Sequence, residues 1–161
     1  MPGKETLVCG VILLGVALAF ALLPQRAASR LRHGVAQAGG DEPVPAFHSQ
    51  APQGPLPATM DPALFPNIVV QNAYAVAARV KKVLYQQPCY CHCDRSQGHG
   101  SLLDCFASKH ASICEICVRE GFYAYEQSRK GKTSAQIRDG IEHGDWQQVD
   151  LSKYQTALPA R

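Results

Sequence analysis

The chain has 161 residues, a formal charge of +3 from 16 Lys and Arg against 13 Asp and Glu, and seven cysteines. That length leaves room for one domain of modest size. A charge this weak and dispersed excludes the basic face of a nucleic-acid binder, so no nucleic acid is expected as a partner.

At the N-terminus, residues Thr6 to Leu23 form an almost unbroken apolar run preceded by Lys4. As one helix it would be roughly 27 Å long, enough to cross a bilayer core. Residues 1–29 therefore read as a signal peptide or a membrane anchor. The anchor is preferred, because Ala17-Leu18-Ala19 and Ala19-Phe20-Ala21 lie inside the run and Arg26-Ala27-Ala28 is a weak cleavage match. Cys9 stands near the start of the apolar stretch and does not end it, which suits a packing residue in a membrane helix better than an acylation site. Arg26, Arg30 and Arg32 outweigh Lys4 and would hold the following domain in the cytoplasm. Against this, nearly the whole chain follows a single N-terminal hydrophobic segment, the layout of an exported domain. The expected location is the cell membrane with the domain extracytoplasmic, or export after signal cleavage.

Residues 30–65 are rich in Ala, Gly, Pro, Gln and His, and no apolar period survives in them. They read as a disordered, semi-extended tether in which His33 and His48 are solvated polar residues. Residues 66–151 are the compact part, marginal in size for a purely hydrophobic core, and 152–161 read as a C-terminal tail.

Within the compact part Ala73, Val76, Ala77, Val80, Val83 and Leu84 recur at helical spacing, predicting a helix from about Asn67 to Gln86 that Pro88 ends. Three further starts carry a Ser or Thr followed three residues later by an acid or amide: Ser101 with Asp104, Ser112 with Glu115, Thr133 with Gln136. They predict helices from Leu102 to about Lys109, Ile113 to about Lys130, and Ser134 to about His143, with Gly100, Gly131 and Gly144 between them. No strand pattern of any length is present. The expected class is all-α: about four helices and a Cys-rich loop, tethered to the N-terminal segment.

The chemistry lies in Cys89, Cys91, Cys93, Cys105, Cys114 and Cys117. With Ser112 as cap, Cys114 falls in the first turn of its helix, where the dipole favours a thiolate, and Cys117 lies one turn on. Their stripe continues through Val118, Gly121, Phe122 and Tyr125, an inward face on which Gly121 would admit a neighbouring backbone. In an extended loop Cys89, Cys91 and Cys93 share one side. A disulfide across one intervening residue would close a small strained ring, whereas one soft ion can be chelated there. Cys114-x-x-Cys117 is a zinc knuckle, and Cu(I), content with two or three thiolates, suits the tighter triple-cysteine loop.

The alternatives are three structural disulfides in an exported domain, or thiol–disulfide exchange with Cys114 attacking and Cys117 resolving. The βαβ context that makes such a Cys-x-x-Cys specific is missing. His99 and His110 are candidate supplementary ligands; His92 would point away from its flanking cysteines in an extended loop. His143 closes the last helix. Asp94 and Asp104 read as turn and cap residues, and Tyr85, Tyr90, Phe106, Tyr123 and Trp146 as core. No nucleophile–base–acid set and no phosphate-binding loop is visible.

Pro88-Cys89-Tyr90-Cys91-His92-Cys93, Gly98 to Phe106, His110, Cys114-x-Ile116-Cys117, Gly131-Lys132 and Ile137-Arg138 together resemble the bacterial PCYCGC-motif proteins, also described as CYCXC-type, some with selenocysteine. The resemblance covers about Val83 to Trp146 and departs at His92, where the family motif has Gly. It implies an exported protein held at the membrane by an N-terminal lipid or helix. With no lipidation cysteine in place, a helix is the implied anchor. The expected function is soft-metal binding, Cu(I) first and Zn²⁺ next, by the six cysteines with His99 and His110. The role would be storage, sensing or delivery, with a metal donor or acceptor protein as partner.

Overall fold

The computed structural model describes residues 43–158. The chain divides into two units, Met1–Glu42 and Pro43–Arg161. The expected anchor helix, Cys9, His33 and the first part of the tether lie outside the described residues. Among the described residues, no helix is long and apolar enough to cross a membrane.

The described part is all-α, with six α-helices and no strand. Helix α1, Ile68–Arg79, starts where the Asn67 side chain accepts from the backbone N–H groups of Val69 and Val70, satisfying two donors with no partner in the first turn. It buries Asn72, Ala73, Tyr74, Val76 and Ala77. The expected single helix to Gln86 is broken at Val80 (φ −122°, ψ 28°), whose N–H turns back to the Ala77 carbonyl. Beyond it α2, Lys81–Leu84, buries Leu84. The loop after Pro88 also holds more order than expected: α3, Cys93–Gln97, begins at Cys93 and stops at Gly98 with φ 68°.

Helix α4, Leu102–Ala107, buries Leu102, Leu103, Cys105 and Phe106. Asp104 has the capping role read from the sequence, its carboxylate accepting from the N–H groups of Gly100 (2.7 Å) and Ser101 (3.2 Å). Helix α5 is Glu115–Arg129, and Cys114, not Ser112, is its N-cap. Ser112 lies instead in a 3-10 turn, His110–Ile113, and its hydroxyl donates to the Lys109 carbonyl. A Ser-x-x-Glu signature serves either arrangement, because the hydroxyl that can accept at a helix start can equally donate to a turn carbonyl. Helix α6, Ser134–Glu142, starts at the reciprocal Thr133–Gln136 cap and ends at His143.

Helix α5 is the central element and touches α1, α2, α4 and α6. At Gly121 an added Cβ would lie 2.6 Å from the Phe106 ring. The expected close approach therefore exists, but it is made by an aromatic ring of α4, not by backbone. Gln87, fully buried, links three elements: its amide donates to the Val83 and Ser134 carbonyls, and its own carbonyl accepts from Leu102.

Residues 43–65, part of the stretch whose composition reads as a tether, pack along the helices. Pro45 is buried, His48 stacks on Tyr85 with ring centroids 3.9 Å apart, and the Met60 N–H donates to the Phe106 carbonyl. Phe65 stacks on the buried Tyr74 at 4.2 Å. Prolines prevent helix here but not burial, because an extended segment needs only a few apolar contacts and backbone partners. At the other end, residues expected to form a tail close onto α1. The buried Asn72 amide donates to the Tyr154 and Thr156 carbonyls, and its oxygen accepts from Leu158.

Candidate metal centre

Three pieces of chain direct sulfur at one interior point. The first is the segment after Pro88, where a tight turn, with the His92 N–H donating to the Cys89 carbonyl, replaces the expected extended loop. It carries Cys89 and Cys91 and feeds Cys93 into the first position of α3. The second is α4 with Cys105, and the third is the start of α5 with Cys114 and Cys117. All six are free thiols. Cys89, Cys93, Cys105 and Cys117 are buried, while Cys91 and Cys114 are partly exposed.

The sulfurs are in mutual contact. Cys89 lies 3.4 Å from Cys91 and 3.5 Å from Cys117, Cys91 lies 3.7 Å from Cys117, and Cys93 lies 3.4 Å from Cys105. Both candidate histidines join them. His99 Nδ1 is 3.2 Å from the Cys93 sulfur and 3.4 Å from that of Cys105, and His110 Nε2 is 3.3 Å from Cys91. Every cysteine and histidine singled out as a ligand from the sequence is therefore at this point. Four sets have all their donor atoms within 4.8 Å of one another: Cys91, His110, Cys114 and Cys117; Cys89, Cys105 and Cys117; Cys89, Cys91 and Cys93; Cys93, Cys105 and His110. A cluster of thiols and imidazoles with this spacing can hold a metal ion.

The web is electrically uneven. The Cys91 thiol is pulled far down because Cys105, Cys114, Cys117 and Cys89 hydrogen-bond to its sulfur. Cys93 is lowered, chiefly by Cys105 and then Cys89. Cys117 is pushed up by its contacts with Cys105 and Cys114, and further by Cys91 and burial. Cys114 ends up raised: the Cys117 thiol lowers it, but Cys91 and burial outweigh that. The expected thiolate at Cys114 is therefore not favoured: Cys91 and burial outweigh the lowering by the Cys117 thiol and the Cys117 backbone N–H at the helix start. His99 is held below the ordinary histidine value by burial and by His110, which keeps the imidazole neutral, as a ligand must be.

Two supporting residues escaped the sequence reading. Glu120 is fully buried in α5, one turn beyond Cys117, and its Oε1 accepts from the Tyr90 N–H at 2.8 Å. Its other oxygen has no hydrogen-bond partner, and burial pushes the carboxyl up to about 8. The signal available was a carboxylate on the inward stripe of Cys117 and Gly121. Gln97, at the end of α3, places its amide 2.8 Å from His110 Nδ1 and so orients the ring whose Nε2 faces Cys91. Nothing in its sequence position distinguishes it.

His92 has φ 55°, the left-handed region that glycine enters most readily. A family model described as a protein of unknown function with PCYCGC motif matches residues 54–150. The chain belongs to this family. In the PCYCGC motif glycine stands where this chain has His92, a position whose φ here is positive. The match begins at residue 54, upstream of the first helix and within the packed N-terminal segment. No curated protein and no solved structure matches the chain.

Proposed function

We propose that this member of the PCYCGC family is a soft-metal-binding protein, taking Cu(I) first and Zn²⁺ next, on Cys89, Cys91, Cys93, Cys105, Cys114 and Cys117 with His99 and His110. The observation that carries the reading is the convergence of six free thiols and two imidazoles at contact distance. Thiolates are soft donors, and a buried thiolate site prefers soft cations over Mg²⁺ or Ca²⁺. In this reading the apolar run Thr6–Leu23 holds the domain on the extracytoplasmic side of a bacterial membrane. The work is storage, sensing or delivery, with a metal donor or acceptor protein as partner.

A second reading, thiol–disulfide exchange through Cys114 and Cys117, draws on the partly exposed Cys114 beside the buried Cys117. The raised Cys114 thiol argues against it, since the attacking group in such exchange is a thiolate. The deciding experiment is anaerobic purification of the full chain with bound metal and free thiols measured together. Stoichiometric copper or zinc supports metal binding. Metal-free protein whose thiols cycle with a reductant overturns it in favour of exchange.

A further inference from the structure

The cluster holds more donors than one ion can use. A tetrahedral ion takes four ligands and Cu(I) two or three, yet six thiols and two imidazoles lie here in contact. A single four-coordinate ion would leave four of the eight donors beside it unligated. The distances permit a division of the eight into two groups of four, with Cys89 and His110 also near donors of the other group. Cys91, His110, Cys114 and Cys117 are mutually within 4.8 Å and form a four-donor set. Of the rest, Cys93 and Cys105 are 3.4 Å apart, and His99 Nδ1 reaches both at 3.2 and 3.4 Å. Cys89 lies within 4.8 Å of Cys93 in one donor set and of Cys105 in another. A metal–sulfur bond of about 2.3 Å gives tetrahedral sulfur–sulfur edges of about 3.8 Å. Within the two sets, the Cys91–Cys117 contact of 3.7 Å and the Cys93–Cys105 contact of 3.4 Å are close to that edge before any ion draws them into place.

The two sets differ in access. In the first, Cys91, Cys114 and His110 are only partly buried, and the neighbouring Ile113 is 87% exposed. In the second, Cys89, Cys93 and Cys105 are at most 3% exposed. Pro45 and Ala46, from the N-terminal segment, lie with Cys89, Cys93, Asp94 and His99 around a space too small for a water molecule. The Ala46 N–H is fixed to Asp94 at 3.2 Å, one residue from Cys93.

Resting on the soft-metal reading, we infer that the cluster is a two-ion centre: an inner ion on Cys89, Cys93, Cys105 and His99, and an outer ion on Cys91, Cys114, Cys117 and His110. Cys89 also touches Cys91 and Cys117, so its sulfur stands on the seam between the two ions. The outer ion exchanges with a carrier at the surface, while the inner ion is retained beneath the 45–46 segment.

The test uses the full chain carrying Cys9→Ser, reduced and titrated with Cd²⁺ alone. Two equivalents, two separate ¹¹³Cd resonances, and release to a chelator in two phases of equal amplitude are expected. His110→Ala with Cys114→Ser should remove one resonance and the faster phase, and His99→Ala with Cys93→Ser should remove the other. The resonances and release phases of the Cys9→Ser chain alone decide the matter even where a double variant does not fold. One equivalent, three or more filled together, or a single release phase would overturn the two-ion centre while leaving soft-metal binding standing. No Cd²⁺ bound and no metal in the protein as isolated would overturn soft-metal binding itself.

Discussion

His92 and Glu120 are the two residues at which local chemistry and neighbouring structure conflict most openly. His92 holds a left-handed backbone at φ 55°, a conformation that costs an L-residue about 1–2 kcal/mol. Its ring meets Tyr90 edge-on, with centroids 6.0 Å apart. His92→Gly should therefore raise stability by about 1 kcal/mol and leave the metal content unchanged. A drop in metal content would instead make His92 a ligand. Glu120 is a carboxyl without solvent, pushed up to about 8 from its ordinary 4.5. The folded chain thus holds a proton between about pH 4.5 and 8 that the unfolded chain has released. Its contribution is complete below the unfolded value and is lost as pH rises through the folded one. The loss across that window is on the order of a few kcal/mol for a group this deeply buried. Glu120→Gln keeps an acceptor for the Tyr90 N–H and removes the charge. Urea midpoints of the metal-stripped protein should fall from pH 5 to pH 8 in the original chain and stay level in the variant; parallel profiles would refute the assignment.

At the scale of elements, the helix starts were legible wherever a side-chain cap was unambiguous: Thr133 with Gln136, and Asp104 at the head of α4. The meeting of three sulfur-bearing elements was legible from the loop after Pro88, the start at Ser101 and a start at Ser112 that the fold shifts to Cys114. Three features were not legible, each for a physical reason. The break at Val80 carries no proline or glycine. Ser112 satisfies a turn as well as it would a helix start. The packing of residues 43–65 depends on single contacts such as His48 on Tyr85, which leave no periodic trace. Gly121 was read correctly as a point of close approach, and its partner, Phe106, came only from the fold. That contact sets a prediction for the pairing of α4 and α5. A Cβ at 121 would lie 2.6 Å from a fully buried ring, so Gly121→Ala should cost about 1–3 kcal/mol. Because Phe106 adjoins Cys105 in α4, metal affinity should fall with it. Gly54→Ala, where nothing lies within 4 Å, is the matched control and should shift stability by less than about 0.5 kcal/mol. Equal effects at the two positions would remove the close-packing explanation.

For the whole molecule, the buried core combines hydrocarbon and aromatic side chains with the thiols of Cys89, Cys93, Cys105 and Cys117. Neutral thiols pack as small apolar groups, but a metal that binds only the folded chain adds stability by mass action, about 2.7 kcal/mol when present at 100 times its Kd. Chelation should therefore lower the Tm, and Cd²⁺ or Cu(I) should restore it. The packing of residues 43–65 sets how far this core extends. Phe65 is 7% exposed and stacked on Tyr74, which in turn meets Phe106 edge-on at 5.3 Å. This aromatic chain runs from the N-terminal segment through α1 to the residue next to Cys105. If the segment is an integral part of the core, Phe65→Ala removes a buried ring and should cost about 3 kcal/mol; in a free tether the same change would cost less than about 0.5 kcal/mol. Chemical denaturation of the full chain separates the two directly. A cost near the larger value, with faster release of metal, places the packed segment and the sulfur cluster in one cooperative unit. A cost near the smaller value makes the segment a passenger on the helices.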